Sequence, residues 1–597
     1  MKYRLLAFTC SVFFAAITLA ATEREYLWPE GRMPNAQPHQ VGATTAETAM
    51  TGFKADDFRR PYLDWFDPPA AAGKTDICMI LISGGGYYSC CDVSLVERWR
   101  KKLTAMGVTC VSLTYRTPRP KGLPIHQSAW EDGQRAVRIV RSQAAKRGYN
   151  PEKIGTISMS AGSHLATLLS TSSMTPAYVP VDELDTTVSC HINWAITCAI
   201  AYALTDGIGY PNSRNGDAID VKLDNVFKFD AKTAPMCMFH GGIDEYSPIA
   251  STQVYRQLRR MNIPAELHLY ASRHHGYFGN PDKGEFAAGY DTWFGRAAEF
   301  IRQMNFDGRL GKEVALMTRF PDDSARAIHE KQDVWPSGKM PDVQTNQCKP
   351  YIEWHIPKEL KTTAIQIIYS GGSYTGNSPD GFEVAPARRY LNAKGMAVVT
   401  LKYRTPRPLG ALAKHTTAWQ DLQRTIRLVR SQAASKGLDP NRIGIMGSSA
   451  GGHLTLMGAV SSRSRSYLPV DDIDKRNSCK VQWAVAIYPA YSLTDGAERP
   501  NVKGGNEDDA RLVPEFAFDP DTCPTLFIHG DKDCWASMNS VKCWEHMRRI
   551  GVQSELHTLA LRHHCFQRAA SPGTGSYTWL DRIGEFMNQQ GIFAPRP

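Results

Sequence analysis

The sequence predicts an α/β protein made of two copies of one unit, each a mainly parallel sheet covered by helices on both faces. Three observations lead there: length, internal repetition and alternation of apolar strand runs with helical runs. At 597 residues the chain is too long for one core, because a single hydrophobic core stops growing near roughly 250–300 residues. "WPEGRMP" (Trp28–Pro34) recurs as "WPSGKMP" (Trp335–Pro341), and "LTYRTPRP" ending at Pro120 recurs as "LKYRTPRP" ending at Pro408. "VRSQAA" ending at Ala145 recurs ending at Ala434, "ELH" at Glu266 recurs at Glu555, and "RHH" at Arg273 recurs at Arg562. From the long helix onward the offset is a steady 289 residues, a duplicated domain rather than a solenoid repeat.

The elements follow in order. In the first copy "DICMILI", ending at Ile82, is a continuous apolar run of the kind buried parallel strands show. Ser94–Ala105 reads as a helix ending before Gly107, and "VTCVSLTY" is a second, β-branched run. Ala129–Arg147 reads as one long helix, with Ala136, Val137 and Val140 on one face and arginines on the other. "KIGTIS" is a short strand followed at once by the helical "SAGSHLATLL", and "APMCMFH" and "AELHLY" are later strands. Such alternation puts helices on both faces of the sheet.

Composition narrows the function. Lys2 and Arg4, the apolar run Leu5–Leu19 and the small Ala20 and Ala21 predict a signal peptide over residues 1–21, with no membrane association of the mature form. This implies a secreted or periplasmic protein. The formal charge of +10 is spread along the chain without basic runs, which argues against a nucleic-acid partner. Fourteen cysteines include Cys10, so an odd number remains after the signal. Cys78 and Cys110, in apolar strand runs, read as buried thiols.

The chemistry concentrates in one motif. "GSSAG" (Gly447–Gly451) follows the strand "RIGIM" and opens the helix "AGGHLTLM". G-x-S-x-G between strand and helix is a nucleophile elbow, which holds the central hydroxyl, Ser449, clear of the sheet. The first copy reads "SMSAG", with Ser160 central and Ser158 in place of the first glycine. A serine needs a base, and the base an orienting acid. Asp244 in "HGGID" and His275 in "SRHHG" supply them in the first copy, Asp533 in "HGDKD" and His564 in "LRHHC" in the second. Alone, each Asp is a turn residue and each His a solvated loop residue. Together the set Ser160, Asp244, His275 recurs 289 residues later as Ser449, Asp533, His564, each at a strand's C-terminal end, where open α/β sheets place their sites. Gly-rich turns "SGGGY" and "SGGSY" follow an early strand and can aim N–H groups at a carbonyl oxygen. The oxyanion candidates are Gly85, Gly86 and Ala161 in the first copy, and Gly372, Ser373 and Ala450 in the second.

On these residues both copies resemble bacterial α/β-hydrolase-fold esterases of the acetyl-xylan and feruloyl esterase type. The resemblance rests on the Gly-rich turns, the YRTPRP segments, SAGSHL and SAGGHL, the HG-x-x-D turns and the ELH strands with their His loops. It implies that the copies are two tandem α/β-hydrolase domains; the repeat itself bounds them at residues 22–307 and 334–597, because 308–333 is polar, has no counterpart in register and reads as a linker. The resemblance also implies hydrolysis of acetyl or hydroxycinnamoyl esters on plant polysaccharide by a serine esterase, without metal or organic cofactor. The sequence departs from the pattern at Ser83 and Ser370, where a His is usual, at Ser158, and at Cys565, where a Gly is usual. A peptidase or amidase with the same triad, and non-catalytic glycan binding by one or both copies, are the competing functions.

Other recurring residues have plainer roles. Cys534 follows the acid and Cys565 the base, which suggests a disulfide bracing the second site, with two separate thiols as the alternative. His274 and His563 are loop residues without a third metal ligand in step. Trp130, Asp132 and Arg135, with Trp419, Asp421 and Arg424, read as packing and an ion pair on the long helix. Tyr87, Tyr88 and Tyr374 either line an acyl pocket or pack in the loop.

Overall fold

The apolar runs become the strands of one sheet that passes through both copies. The computed structural model describes residues 23–40, 60–90, 93–205, 221–278, 290–305, 327–494, 510–568 and 578–594. The expected signal peptide lies outside them, and no helix among the described residues is long and apolar enough to cross a membrane.

The first half contains β1 (Glu23–Tyr26), β2 (Tyr62–Phe66), β3 (Cys78–Ile82), β4 (Thr109–Thr114), β5 (Ile154–Met159), β6 (Trp194–Cys198), β7 (Leu204–Thr205), β8 (Lys222–Leu223), β9 (Met236–Gly241) and β10 (Ala265–Tyr270). The second repeats the series as β11 (Ala327–Asp333), β12 (Tyr351–Pro357), β13 (Ile365–Tyr369), β14 (Ala397–Lys402), β15 (Ile443–Ser448), β16 (Trp483–Ile487), β17 (Leu493–Thr494), β18 (Arg511–Leu512), β19 (Thr525–Gly530) and β20 (Glu555–Leu559). The sheet order is β1-β2-β4-β3-β5-β6-β9-β10, then β20-β19-β16-β15-β13-β14-β12-β11, sixteen strands among the described residues. β7 with β8 and β17 with β18 form small separate ribbons. Each half thus has the mainly parallel sheet expected of an α/β unit.

The halves join through their last strands. β10 and β20 pair antiparallel with His268 opposite His557, so the two units are related by a pseudo-twofold at that pair. Edge strands that would otherwise expose unpaired backbone groups satisfy each other there.

The long helix spans Gln127–Ser142 and resumes as Ala144–Arg147 after a break at Gln143. Its buried Asp132 accepts from Trp28 Nε1 at 2.7 Å and from the backbone N–H of Arg116 at 2.8 Å, with the Arg116 guanidinium alongside. Asp421, Trp335 and Arg404 repeat the arrangement. This ties the recurring "WP" and "YRTPRP" segments to the helix. Arg135 pairs instead with Asp182 and Asp185, and Arg424 with Asp471 and Asp474.

One boundary is corrected. The expected linker, 308–333, ends in a strand: β11 pairs antiparallel with β12 along its whole length, as β1 does with β2. Glu330 and Lys331 are exposed, and an edge strand of that kind is as polar as a linker, so composition does not separate the two. Residues 308–326 lie outside the described residues.

Candidate active site

Each serine sits at the turn between a buried strand and a buried helix. Ser160 joins β5 to the helix Ala161–Thr171 with φ 57° and ψ −124°. Ser449 joins β15 to the helix Ala450–Val460 with φ 55° and ψ −121°. A non-glycine residue at positive φ is a strained conformation that surrounding packing must impose. Close approach supplies that packing: a Cβ on Gly162 would lie 2.3 Å from the Ser83 carbonyl oxygen, and one on Gly451 would lie 2.6 Å from that of Ser370. The last glycine of the elbow therefore lets the helix press against the Gly-rich turn.

The first position differs for a local reason. A Cβ on Gly447 would lie 2.6 Å from the Tyr369 ring. The first half has Ile82 where the second has Tyr369, and Ser158 there donates to the Ile196 carbonyl at 3.0 Å.

Acid and base reach each serine from far along the chain. His275 Nε2 lies 2.8 Å from Ser160 Oγ, and its Nδ1 lies 2.9 and 3.0 Å from the Asp244 oxygens. His564 Nε2 lies 2.8 Å from Ser449 Oγ, and its Nδ1 lies 2.9 Å from both Asp533 oxygens. An ionised carboxylate only accepts, so Nδ1 carries the ring proton and Nε2 is left to accept from the serine. Such an imidazole can take the hydroxyl proton as the oxygen attacks. The acid turns are held locally: Asp244 accepts from the Tyr246 N–H and Asp533 from the Trp535 N–H, both at 2.8 Å. His240 and His529 sit beneath these turns on Ser251 and Ser540. Burial pushes both imidazoles down to about 4, so they stay neutral there.

The Gly-rich turns run beside the serines. A Cβ at Gly84 would lie 2.8 Å from Ser160 Cβ, and one at Gly371 would lie 2.7 Å from Ser449 Cβ. Gly85, Gly86, Gly372 and Ser373 all have positive φ. Ala161 and Ala450 open helices whose first N–H groups lack intrahelical partners. Tyr87 and Tyr374 are buried in the turns, each 2.8 Å from the Nδ1 of His164 or His453, so they pack in the loop. Tyr88 is exposed under Arg119.

The second site has features the sequence did not flag. A cavity of about 440 Å³ opens beside Ser449, His564, Cys565 and Glu383, within the range of small-ligand sites. Glu383 accepts from the Gly371 N–H at 2.7 Å and from the Tyr488 hydroxyl at 3.0 Å. The Tyr488 ring lies 4.8 Å from that of His564. The signal for Glu383 was its place in a segment, 375–383, that does not repeat cleanly between the copies.

The expected Cys534–Cys565 disulfide is not formed. Cys534 is exposed beside Asp533 and His564, while Cys565 lines the cavity with Ser449. A bonded Asp–His pair thus leaves its two chain neighbours in different surroundings. Among the described residues, three groups bring potential metal ligands within 4.8 Å: Cys237, Glu266 and His268; His415, His453 and Glu515; and Asp533, Cys534 and His564. In the second, the Tyr374 hydroxyl lies 2.8 Å from His453 Nδ1 and Glu515 lies 3.3 Å from His453 Nε2. His563 bonds the Lys532 carbonyl and His274 accepts from the Gly276 N–H, both as loop residues.

The decisive likeness covers both halves. The BD-FAE family model matches residues 63–200 and 353–543, more than half of the chain. The chain belongs to the BD-FAE family. This BD-FAE chain is similar to an acetylxylan esterase of Xylanibacter ruminicola, 32% identical over 244 residues, 40% of this chain and 46% of that one. It is also similar to endo-1,4-beta-xylanase B of Butyrivibrio fibrisolvens, 34% identical over 92 residues, 15% and 14% of the two chains. Among solved structures, an acetyl ester-xyloside bifunctional hydrolase from Caldicellulosiruptor lactoaceticus matches with a TM-score of 0.36 and 24% identity, over 44% of this chain and 97% of that one. The chain spans less than half the length of these curated relatives.

Proposed function

We propose that this protein is an exported serine ester hydrolase that removes acetyl or hydroxycinnamoyl groups from plant polysaccharide, with one active site in each half. The observation that carries the reading is the pair of Ser–His–Asp chains, each with a 2.8 Å serine–imidazole contact and a serine at positive φ. The similarity to a named acetylxylan esterase supports the acyl and glycan class. The N-terminal apolar run behind Lys2 and Arg4 supports export.

The chemistry follows the triad logic. Nε2 of His275 or His564 takes the proton as Ser160 or Ser449 Oγ bonds to the ester carbonyl carbon. The carbonyl oxygen becomes an oxyanion, stabilised by backbone N–H groups of Gly85, Gly86 and Ala161, or of Gly372, Ser373 and Ala450. The C–O bond to the alcohol breaks, and the imidazolium returns its proton to that oxygen. Water then attacks the acyl-enzyme by the same route, releasing the acid and restoring the serine. Asp244 or Asp533 fixes the imidazole tautomer and stabilises its cation.

Kinetics of Ser160→Ala, Ser449→Ala and the double variant on p-nitrophenyl acetate, methyl ferulate and a peptide amide test this. Each single variant is expected to lose part of the ester turnover, and the double variant nearly all of it. Undiminished ester hydrolysis by the double variant refutes the proposal.

A further inference from the structure

The two halves make the same pair of contacts twice, once in each direction. Arg259, from the helix Ile249–Arg260 of the first half, donates to the carbonyl oxygen of Asp531, two residues before Asp533. Arg548, from the helix Met538–Arg549 of the second half, donates at 2.6 Å to the carbonyl oxygen of Gly242, two residues before Asp244. Glu266 on β10 accepts at 3.1 Å from the N–H of Ala560, four residues before His564. Glu555 on β20 accepts at 3.3 Å from the N–H of Ala271, four residues before His275. Each residue in one set is the repeat counterpart of a residue in the other.

We infer that each half holds the acid and base turns of the other half's site, so that neither Ser–His–Asp chain keeps its geometry without its neighbour. The inference rests on the reading of both sites as catalytic. The contacts go to backbone atoms, and Arg259 and Arg548 keep theirs although Asp531 and Gly242 differ in side chain. Both arginines hold the chain at these positions, and Arg259 also pairs with the Asp531 carboxylate at 3.4 Å. The second site has additional ties: the Tyr255 hydroxyl donates to Asp531 Oδ1 at 3.3 Å and lies 2.7 Å from Ser537 Oγ, and Lys532 Nζ donates to Asn262 Oδ1 at 2.7 Å. These are positioning residues, and they act because a reacting geometry tolerates only small displacements.

The full chain tests this with one site silenced at a time. Ser449→Ala leaves the first site as the reporter, and Ser160→Ala leaves the second. Arg548→Ala is expected to lower first-site kcat by about ten- to a hundredfold, with KM nearly constant, and to leave the second site at its starting rate. Arg259→Ala and Tyr255→Phe give the mirror result. Arg548→Lys and Arg259→Lys, which retain a donor, recover part of the loss and guard against variants that fail to fold. Slowing of the site in the variant's own half, of neither site, or of both sites equally overturns the inference. Equal slowing with a lowered melting temperature is the signature of a purely structural role. A failure of the catalytic reading looks different, because the two serine variants then keep their turnover before any interface change is made.

Discussion

His268 and His557 meet across the pseudo-twofold with their Nδ1 atoms 3.0 Å apart. Burial holds both imidazoles well below their usual range, so both are neutral. Arg296 also reaches His557 Nδ1, at 3.4 Å, and an arginine only donates. That nitrogen is therefore an acceptor, and His268 Nδ1 is the donor. His557 Nε2–H then donates to Glu555, while His268 Nε2, left without a proton, accepts from a protonated Glu266.

This fixes a pH dependence. Burial raises the Glu266 carboxyl to about 8 from an ordinary 4.5. Between those values the folded state binds a proton that the unfolded state has released, so stability falls as pH rises across that window. Glu266→Gln keeps an acceptor for the Ala560 N–H and supplies a permanent donor to His268. Thermal melts across pH are expected to show wild type losing stability relative to Glu266→Gln from about pH 4.5 to about pH 8. Parallel curves contradict the assignment.

The elbow difference between the halves predicts an asymmetric response. Gly447→Ser puts a Cβ 2.5 Å from the Gly451 carbonyl oxygen and 2.6 Å from the Tyr369 ring. Overpacking of this kind costs about 1–3 kcal/mol. Adding Tyr369→Ile is expected to restore part of that stability. Ser158→Gly in the first half removes atoms without a clash and is expected to be mild. Urea melts of the four chains decide it.

Asp421 and Arg404 are fully buried with each other. Asp421→Ala leaves the guanidinium without this carboxylate, a change worth about 3–5 kcal/mol. Asp472→Ala, which removes an exposed partner of Arg476, is expected to cost at most about 1 kcal/mol. Equal losses in denaturant melts run against this account of how the helix is tied to "YRTPRP".

Glu383 pins the Gly371 N–H and the Tyr488 hydroxyl in the second site. In a Ser160→Ala background, Glu383→Ala is expected to lower kcat by up to about a hundredfold with little change in KM. A rise in KM at constant kcat points instead to a role in holding substrate.

Repetition is what made the site legible. An Asp after "HG" or a His after "RH" says little once, but the same spacing to Ser160 and Ser449 marked all six residues. The geometry brings each set within hydrogen-bonding reach. The continuous sheet was not legible, because the partner of an edge strand such as β10 is chosen by tertiary packing. One trace of it stood in plain sight: "ELH" places Glu266 and His268, and again Glu555 and His557, inside otherwise apolar strands. The disulfide expectation failed although Cys534 lies beside Asp533 and His564, because Cys565 faces the cavity with Ser449 instead. The linker expectation failed over 327–333 because a polar edge strand and a polar linker share a composition.

Fluorophosphonate labelling of the full chain, with the adduct mapped by peptide mass spectrometry, bears most directly on the two serines. Label is expected on both Ser160 and Ser449, and is expected to be lost from Ser160 in His275→Ala and from Ser449 in His564→Ala. A chain that takes up label at neither serine contradicts the account.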